Sequence, residues 1–164
     1  MDRDLLLENI VSTVKTAKAF DVPIVHSTIN VATGRGQPTV PELVQLLENT
    51  PPIDRTTLNA WEDAEFLAAV RATGRRKLIA CALWTEICMA FPALDALREG
   101  YEVYPVVDAI GGTSEEARRA GSERVVQAGG RPITWSRSPA SSSATGHVRR
   151  QGWTWLRSCS PIDC

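Results

Sequence analysis

The chain has 164 residues, of which 43% are apolar, and this is enough for one domain with a buried core. Its formal net charge is −1, so the charge balance gives no indication of a nucleic-acid or anionic-membrane partner. No apolar run approaches the roughly 20 residues needed to cross a bilayer, and the N-terminus lacks the form of a secretory signal. Four cysteines without C-x-x-C spacing argue against a disulfide framework. We therefore expect a cytoplasmic protein.

Helix and strand signals alternate along the chain. The predicted helices cover residues 5 to about 21, 41–47, 62–72, 86–98 and 113–127, and the predicted strands cover 24–29, 77–83, 102–107 and 131–135. Thr113 and Glu116 have capping-box spacing at the start of the last helix. The strand 77–83 is apolar throughout, which is typical of a strand covered on both faces. This alternation predicts an α/β fold with a doubly wound parallel sheet.

Cys88 is the position that carries the most chemical information. It follows the strand 77–83, and ligands of open α/β sheets bind at the carboxyl ends of the strands. It also begins the next predicted helix, whose unpaired N–H groups favour the thiolate that nucleophilic attack requires. The commoner fate of such a cysteine is a small buried apolar residue. Position alone therefore leaves two alternatives, a nucleophile and a core residue.

Other motifs predict no cofactor or metal site. Gly34 and Gly36 follow a strand, as in a dinucleotide-binding loop, but the third glycine is absent. His26 lies inside a strand with no carboxylate or second histidine at ligand spacing, which predicts a packed or hydrogen-bonded imidazole. His147, the other histidine, lies near the C-terminus. Any cation that supports a Cys88 thiolate would therefore be an arginine or a lysine.

Several segments carry a family resemblance, namely Leu58–Asp63, Ala72–Ile79, Thr85–Leu94, and Val106–Ala109 followed by Gly112 and Thr113. They resemble the isochorismatase-like cysteine hydrolases, and within that superfamily the small YcaC-type bacterial hydrolases. The resemblance covers residues 1–135, which we interpret as one hydrolase domain. It implies a three-layer α-β-α, Rossmann-like doubly wound parallel sheet, without a cofactor.

The resemblance also implies an activity. It would be an amidohydrolase-type reaction on a C–N or similar bond of a small amide-like or ester-like substrate, through a thioester intermediate. The protein would be a homo-oligomer that binds a small molecule, with no nucleic-acid or membrane partner.

The resemblance assigns roles to individual residues. Cys88 would be the nucleophile and Arg55 would match the cation of the family's triad. Because arginine stays protonated in proteins, its role would be electrostatic. The family has a non-proline cis peptide four residues before the cysteine, here Leu83–Trp84. The backbone N–H groups of Trp84 and Cys88 would then form the oxyanion hole.

Four further residues are candidates for the substrate pocket: Asn59, Trp61, Thr85 and Phe91. The aromatic members could line a pocket, although aromatic residues near strand ends are as often plain core.

The chain departs from the family at its start. The family's aspartate ends a first, central strand upstream of the first helix, whereas this chain begins at that helix. Asp2 and Asp4 fall in the first helical turn, where carboxylates complement the helix dipole, and neither is a credible general base. Loss of a general base costs about 10²–10⁴ in rate, so we expect impaired activity. The alternative is a non-catalytic remnant or oligomer partner of the same fold.

Two structural expectations follow from these departures. The neighbours of the absent central strand would lack a pairing partner. Residues 136–164 include a Ser-rich run and show no sustained apolar periodicity, whereas relatives continue into a helix. One permitted choice of codons, read in a shifted frame, restores a helical pattern. We therefore predict an aberrant tail, disordered or produced by a frameshift just after Trp135.

Overall fold

The computed structural model describes residues 2–137 and the backbone of residues 153–158. The helices are α1 (Arg3–Ala19), α2 (Pro41–Leu46), α3 (Ala64–Ala72), α4 (Ala90–Arg98) and α5 (Glu115–Gln127). The strands are β1 (Ile24–Ile29), β2 (Ile53–Arg55), β3 (Lys77–Ala82), β4 (Glu102–Pro105) and β5 (Trp153–Ser158). Short helical turns cover Ala60–Glu62, Thr85–Met89 and Trp135–Arg137. None of the helices in the described part of the chain is long and apolar enough to span a bilayer.

The five strands form one parallel sheet in the order β2-β1-β5-β3-β4. Alternate residues of β3 point to opposite faces. Leu78 and Ala80 pack in a core with α3, α4 and α5, whereas Ile79 and Cys81 pack in a second core with α1 and α2. Helices therefore cover both faces, and the predicted three-layer, doubly wound fold is confirmed.

The central position of the sheet is occupied by β5. Its residues pair in parallel with β1 on one side and β3 on the other, and Ser158 lies level with Ser27 and Ala82. The expectation that β1 and β3 lack a partner between them is therefore wrong. Backbone N–H and C=O groups of buried strands must be paired, and β5 supplies that pairing. The rest of the predicted aberrant tail, residues 138–152 and 159–164, lies outside the described residues.

Two strand predictions need correction. The strand expected over 131–135 is reduced to one bridge between Val106 and Ile133. Pro132 has no N–H to donate to a ladder, which limits pairing there. The strand β2 was not predicted, because three residues after two prolines give too short a pattern. It pairs with β1, and the pairing places Arg55 beside Ile29.

The start of α5 also differs from its prediction. The N-cap is Ser114, whose hydroxyl accepts a hydrogen bond from the Ala117 N–H, and not Thr113. The cap is shifted by one residue because Thr113 is bonded elsewhere, to Glu86.

Candidate active site

Cys88 lies in a π-helical turn that connects β3 to α4. The Leu83–Trp84 peptide is cis, as the family resemblance implies, and the turn Thr85–Met89 follows directly. The Cys88 side chain is buried, with 6% of its surface exposed. The turn leaves the sheet at the carboxyl end of a parallel strand, the edge where α/β proteins bind their ligands.

The turn leaves backbone donors beside Cys88. The Trp84 carbonyl accepts hydrogen bonds from the N–H groups of Ile87 at 3.2 Å and Met89 at 3.3 Å. The Cys88 N–H, which lies between them, is not among the donors to this carbonyl. Within residues 2–137 and 153–158, the Trp84 N–H has no backbone acceptor. The N–H groups of Trp84 and Cys88 are the two donors that the family resemblance implies for an oxyanion hole.

A small apolar cavity of about 20 Å³ adjoins Cys88. A volume of this size has room for one or two water molecules. It has no charged residue in its wall, which is formed by Ala60, Phe66, Ala80, Cys81, Ala82, Cys88, Met89, Pro92, Ala93 and Val103. No carboxylate of the described part of the chain therefore lines this cavity.

Arg55 is a buried cation at the same edge of the sheet. It ends β2, and 1% of its surface is exposed. Its Nε lies 3.3 Å from the Ser27 hydroxyl oxygen, and its Nη1 donates to the carbonyls of Leu58, at 3.0 Å, and of Thr57. Two strands separate β2 from β3, so roughly 14 Å separate their backbones. Arg55 thus lies at the carboxyl edge of the sheet, separated by two strands from the strand that leads to Cys88.

Asn59 and Trp61 tie the turn Ala60–Glu62 to α4. The Asn59 amide nitrogen donates to Asp95 at 2.7 Å, and the Trp61 indole donates to Glu99 at 2.9 Å. The Trp61 ring meets the Tyr101 ring edge-on, with 5.3 Å between centroids. Neither side chain lines the cavity beside Cys88, and their place in the substrate pocket stays a prediction.

Thr85 and Phe91 lie close to Cys88 in sequence but make structural contacts. The Thr85 hydroxyl and N–H both donate to the Gly111 carbonyl, each at 2.6 Å. Phe91 is half-buried, and the Arg124 guanidinium lies 5.6 Å from its ring centroid. Both contacts join the start of α4 to α5 and the loop before it. Neither residue lines the cavity.

Glu86 is a site residue to which the sequence pattern gave no role. Its Oε1 accepts hydrogen bonds from the Thr113 N–H at 3.0 Å and the Thr113 hydroxyl at 2.6 Å. Burial raises the pKa of Glu86, but these two bonds and one from the Glu86 backbone N–H outweigh it and leave the pKa below its usual value. The motif Thr-Glu-x-Cys was visible in the sequence, but the partner 27 residues away was not.

The two acidic residues at the start of the chain lie at the N-terminus of α1. Asp2 is the N-cap of α1 and accepts hydrogen bonds from the N–H groups of Asp4 and Leu5. Its carboxylate therefore has a structural role at the end of a helix. Asp4 lies in the first turn of the same helix, as expected.

His26 lies on the other face of the sheet from the Arg55 side chain. Its Nε2 lies 2.8 Å from the Thr39 hydroxyl oxygen, and its Nδ1 lies 3.4 Å from the Thr50 carbonyl oxygen. It is the hydrogen-bonded imidazole that was predicted. It lines an open cavity of about 470 Å³ between α2 and the edge of the sheet, together with Asp54. Burial raises the pKa of Asp54, but hydrogen bonds from two backbone N–H groups and a hydroxyl leave it lowered.

A family model described as the isochorismatase domain matches residues 1–137. The chain belongs to the isochorismatase family. It is 39% identical over 136 residues to the probable hydrolase YcaC of Escherichia coli strain K12, covering 82% of this chain and 65% of the relative. The chain thus spans about two thirds of the length of that relative.

Two solved structures are similar to this chain. One is YcaC from Pseudomonas aeruginosa with hexane-2,5-diol and covalent acrylamide, with 34% identity and a TM-score of 0.78 over 82% of this chain and 67% of that one. The other is the E. coli YcaC gene product, described as an octameric hydrolase of unknown specificity, with 38% identity and a TM-score of 0.78. It is matched over 82% of this chain and 66% of that one.

Proposed function

We propose that this isochorismatase-family chain is a cysteine hydrolase in which Cys88 attacks a small amide-like or ester-like substrate. The Cys88 sulfur would bond to the carbonyl carbon, the amine or alcohol would leave, and water would hydrolyse the resulting thioester. The single observation that carries the proposal is the position of Cys88 in the turn after β3, where the Trp84 N–H has no acceptor within the described residues.

Two further observations support a nucleophilic thiol. Arg55 is a buried cation at the same sheet edge, and a positive charge favours the thiolate over the thiol. The related P. aeruginosa protein was solved with covalent acrylamide, and acrylamide is an electrophile that thiolates attack. Acrylamide also contains a primary amide, which is the group that the proposed reaction cleaves.

We also propose that the activity is lower than that of family members with a complete catalytic triad. The wall of the cavity beside Cys88 contains no carboxylate in the described part of the chain, and Asp2 is used as a helix cap. The same observation favours the second candidate, a protein of this fold that no longer catalyses and acts within an oligomer. By analogy with the octameric relative, we propose a homo-oligomer with a small-molecule substrate. A cytoplasmic location stays a prediction.

Assays with a set of small primary amides distinguish the cysteine hydrolase from the non-catalytic protein. Ammonia release from small primary amides would be measured for the full chain, for Cys88→Ala and for Cys88→Ser. The enzyme predicts slow turnover that both substitutions reduce by about 10³-fold or more. Turnover that survives in Cys88→Ala would contradict the nucleophile, and a folded wild-type chain without turnover favours the non-catalytic candidate.

A further inference from the structure

The turn that carries Cys88 is held from one side by the segment before α5. The Gly111 carbonyl accepts two bonds from Thr85, and the Gly111 N–H donates to the Ala82 carbonyl at the end of β3. Two residues further on, the N–H and the hydroxyl of Thr113 both donate to Glu86 Oε1. The end of β3 and the turn that carries Cys88 are thus both hydrogen-bonded to the loop that precedes α5.

The helix α5 packs directly against the backbone of Glu86. A Cβ atom placed on Gly121 would lie 2.7 Å from the Glu86 Cα and 2.8 Å from the Glu86 nitrogen. Only glycine permits so close an approach, since real Cβ atoms do not come within 3.0 Å of other heavy atoms. Glu86 is therefore held at its backbone by α5 and at its side chain by Thr113.

Stability alone does not explain why a carboxylate with an unpartnered second oxygen stands at Glu86. Glu86 Oε2 is buried and has no hydrogen-bond partner within residues 2–137 and 153–158. A buried oxygen without a hydrogen-bond partner lowers the stability of the fold, so a glutamate at position 86 is costly. The charge strengthens the two bonds that Oε1 accepts, because hydrogen bonds to an ionised acceptor are shorter and stronger than neutral ones.

We propose that Glu86 is a positioning residue for Cys88. By accepting both hydrogen bonds of Thr113, it fixes the turn Thr85–Met89 against α5 and so fixes the direction of the Cys88 thiol and N–H. This inference rests on the proposed role of Cys88 as a nucleophile. It requires no contact between Glu86 and the substrate.

The rate of alkylation by iodoacetamide tests this role in the full chain. Tandem mass spectrometry of the tryptic peptide 78–98 measures the adducts on Cys88 and Cys81 separately. Glu86→Ala should slow the Cys88 reaction at least tenfold, whereas Glu86→Gln, which keeps the acceptor for Thr113, should stay within about threefold of wild type. Thr113→Val, which loses only the hydroxyl, should slow it several-fold. The double variant Glu86→Ala/Thr113→Val should be no slower than Glu86→Ala alone.

Cys81 and Glu123 provide the controls. A general loss of stability exposes both thiols and raises both rates, whereas a loss of positioning lowers the Cys88 rate alone. Glu123→Gln removes an exposed carboxylate from α5 and should leave the Cys88 rate unchanged. If Glu86→Ala does not fold, Thr113→Val carries the test.

Four outcomes would overturn the inference. A Cys88 rate that is unchanged in both Glu86→Ala and Thr113→Val excludes the positioning role. Effects of the two substitutions that multiply independently exclude it as well. A loss in Glu86→Gln as large as in Glu86→Ala would assign the effect to charge instead of position. A wild-type Cys88 that reacts no faster than Cys81 would overturn the proposed function, and this inference with it.

Discussion

The indole N–H of Trp61 donates a 2.9 Å hydrogen bond to the Glu99 carboxylate, and the Trp61 ring stands edge-on to Tyr101. Tyr101 directly precedes β4, so these contacts lie towards the amino ends of the strands. Cys88 leaves the sheet at the opposite edge, beyond the carboxyl end of β3. Trp61 therefore connects α4 to the start of β4, and its conspicuous place in the Asn-Ala-Trp motif reflects packing.

Trp61→Phe should lower stability without affecting the reactivity of Cys88. The substitution keeps most of the buried ring but removes the donor to Glu99, which should reduce the free energy of unfolding by about 1 kcal/mol. Urea unfolding measures the loss, and the rate of acrylamide addition to Cys88 should stay within about twofold of wild type. A change in that rate without a change in stability would place Trp61 in the active site after all.

Arg55 should contribute to both stability and reactivity. Arg55→Met removes the donors to Ser27, Thr57 and Leu58. We expect urea unfolding to show a loss of about 2–4 kcal/mol and acrylamide addition to Cys88 to slow.

The matched variants separate charge from hydrogen bonding at Arg55. Arg55→Lys keeps the positive charge but lacks the planar fork, so it should restore much of the reactivity and only part of the stability. Arg35→Met, in an exposed loop, should change the free energy of unfolding by less than about 0.5 kcal/mol. Full reactivity in Arg55→Met would exclude the electrostatic role.

Glu86 should make the stability of the chain depend on pH. The pKa of its carboxyl is lower in the folded chain, because burial is outweighed by the hydrogen bonds from Thr113 and from its own backbone N–H. The ionised form therefore stabilises the fold above the unfolded pKa, near 4.3, and this contribution is lost as the pH falls through the folded pKa. Thermal unfolding should show Glu86→Gln less stable than wild type at pH 7. The two should converge as the pH falls through the folded pKa, and a constant difference between them would refute the assignment.

The strand β5 should be required for the fold. Leu156 lies in the centre of the sheet, level with Val25 and Ala80. Leu156→Pro removes a backbone donor from a central strand, so we expect loss of the cooperative thermal transition seen by circular dichroism. Leu156→Val keeps the N–H group and should retain the transition. A cooperative transition in Leu156→Pro at the wild-type temperature would show that β5 is dispensable.

Local patterns predicted the strand and helix framework because burial on both faces leaves a clear signal. The apolar run 77–83 matches β3, and the strand 24–29 matches β1. Sequence position also singled out Cys88, since the end of a buried strand can be recognised locally.

The remaining features depend on contacts between distant parts of the chain. The pairing of Glu86 with Thr113 and the close approach of Gly121 join elements that no local period connects. The gap between β1 and β3 was expected from the resemblance, but no local signal in the C-terminal region indicated that β5 fills it. The contacts of Asn59 and Trp61 with α4 were not predicted, because a conspicuous motif does not say which neighbour it contacts.

The most direct test of the central claim compares two thiols in the same native chain. Cys81 and Cys88 are both buried, with 1% and 6% of their surfaces exposed, and they lie on the same tryptic peptide. If Cys88 is the nucleophile, acrylamide should add to it at least tenfold faster than to Cys81, as read by tandem mass spectrometry over time. Equal rates, or faster addition to Cys81, would contradict the assignment of Cys88.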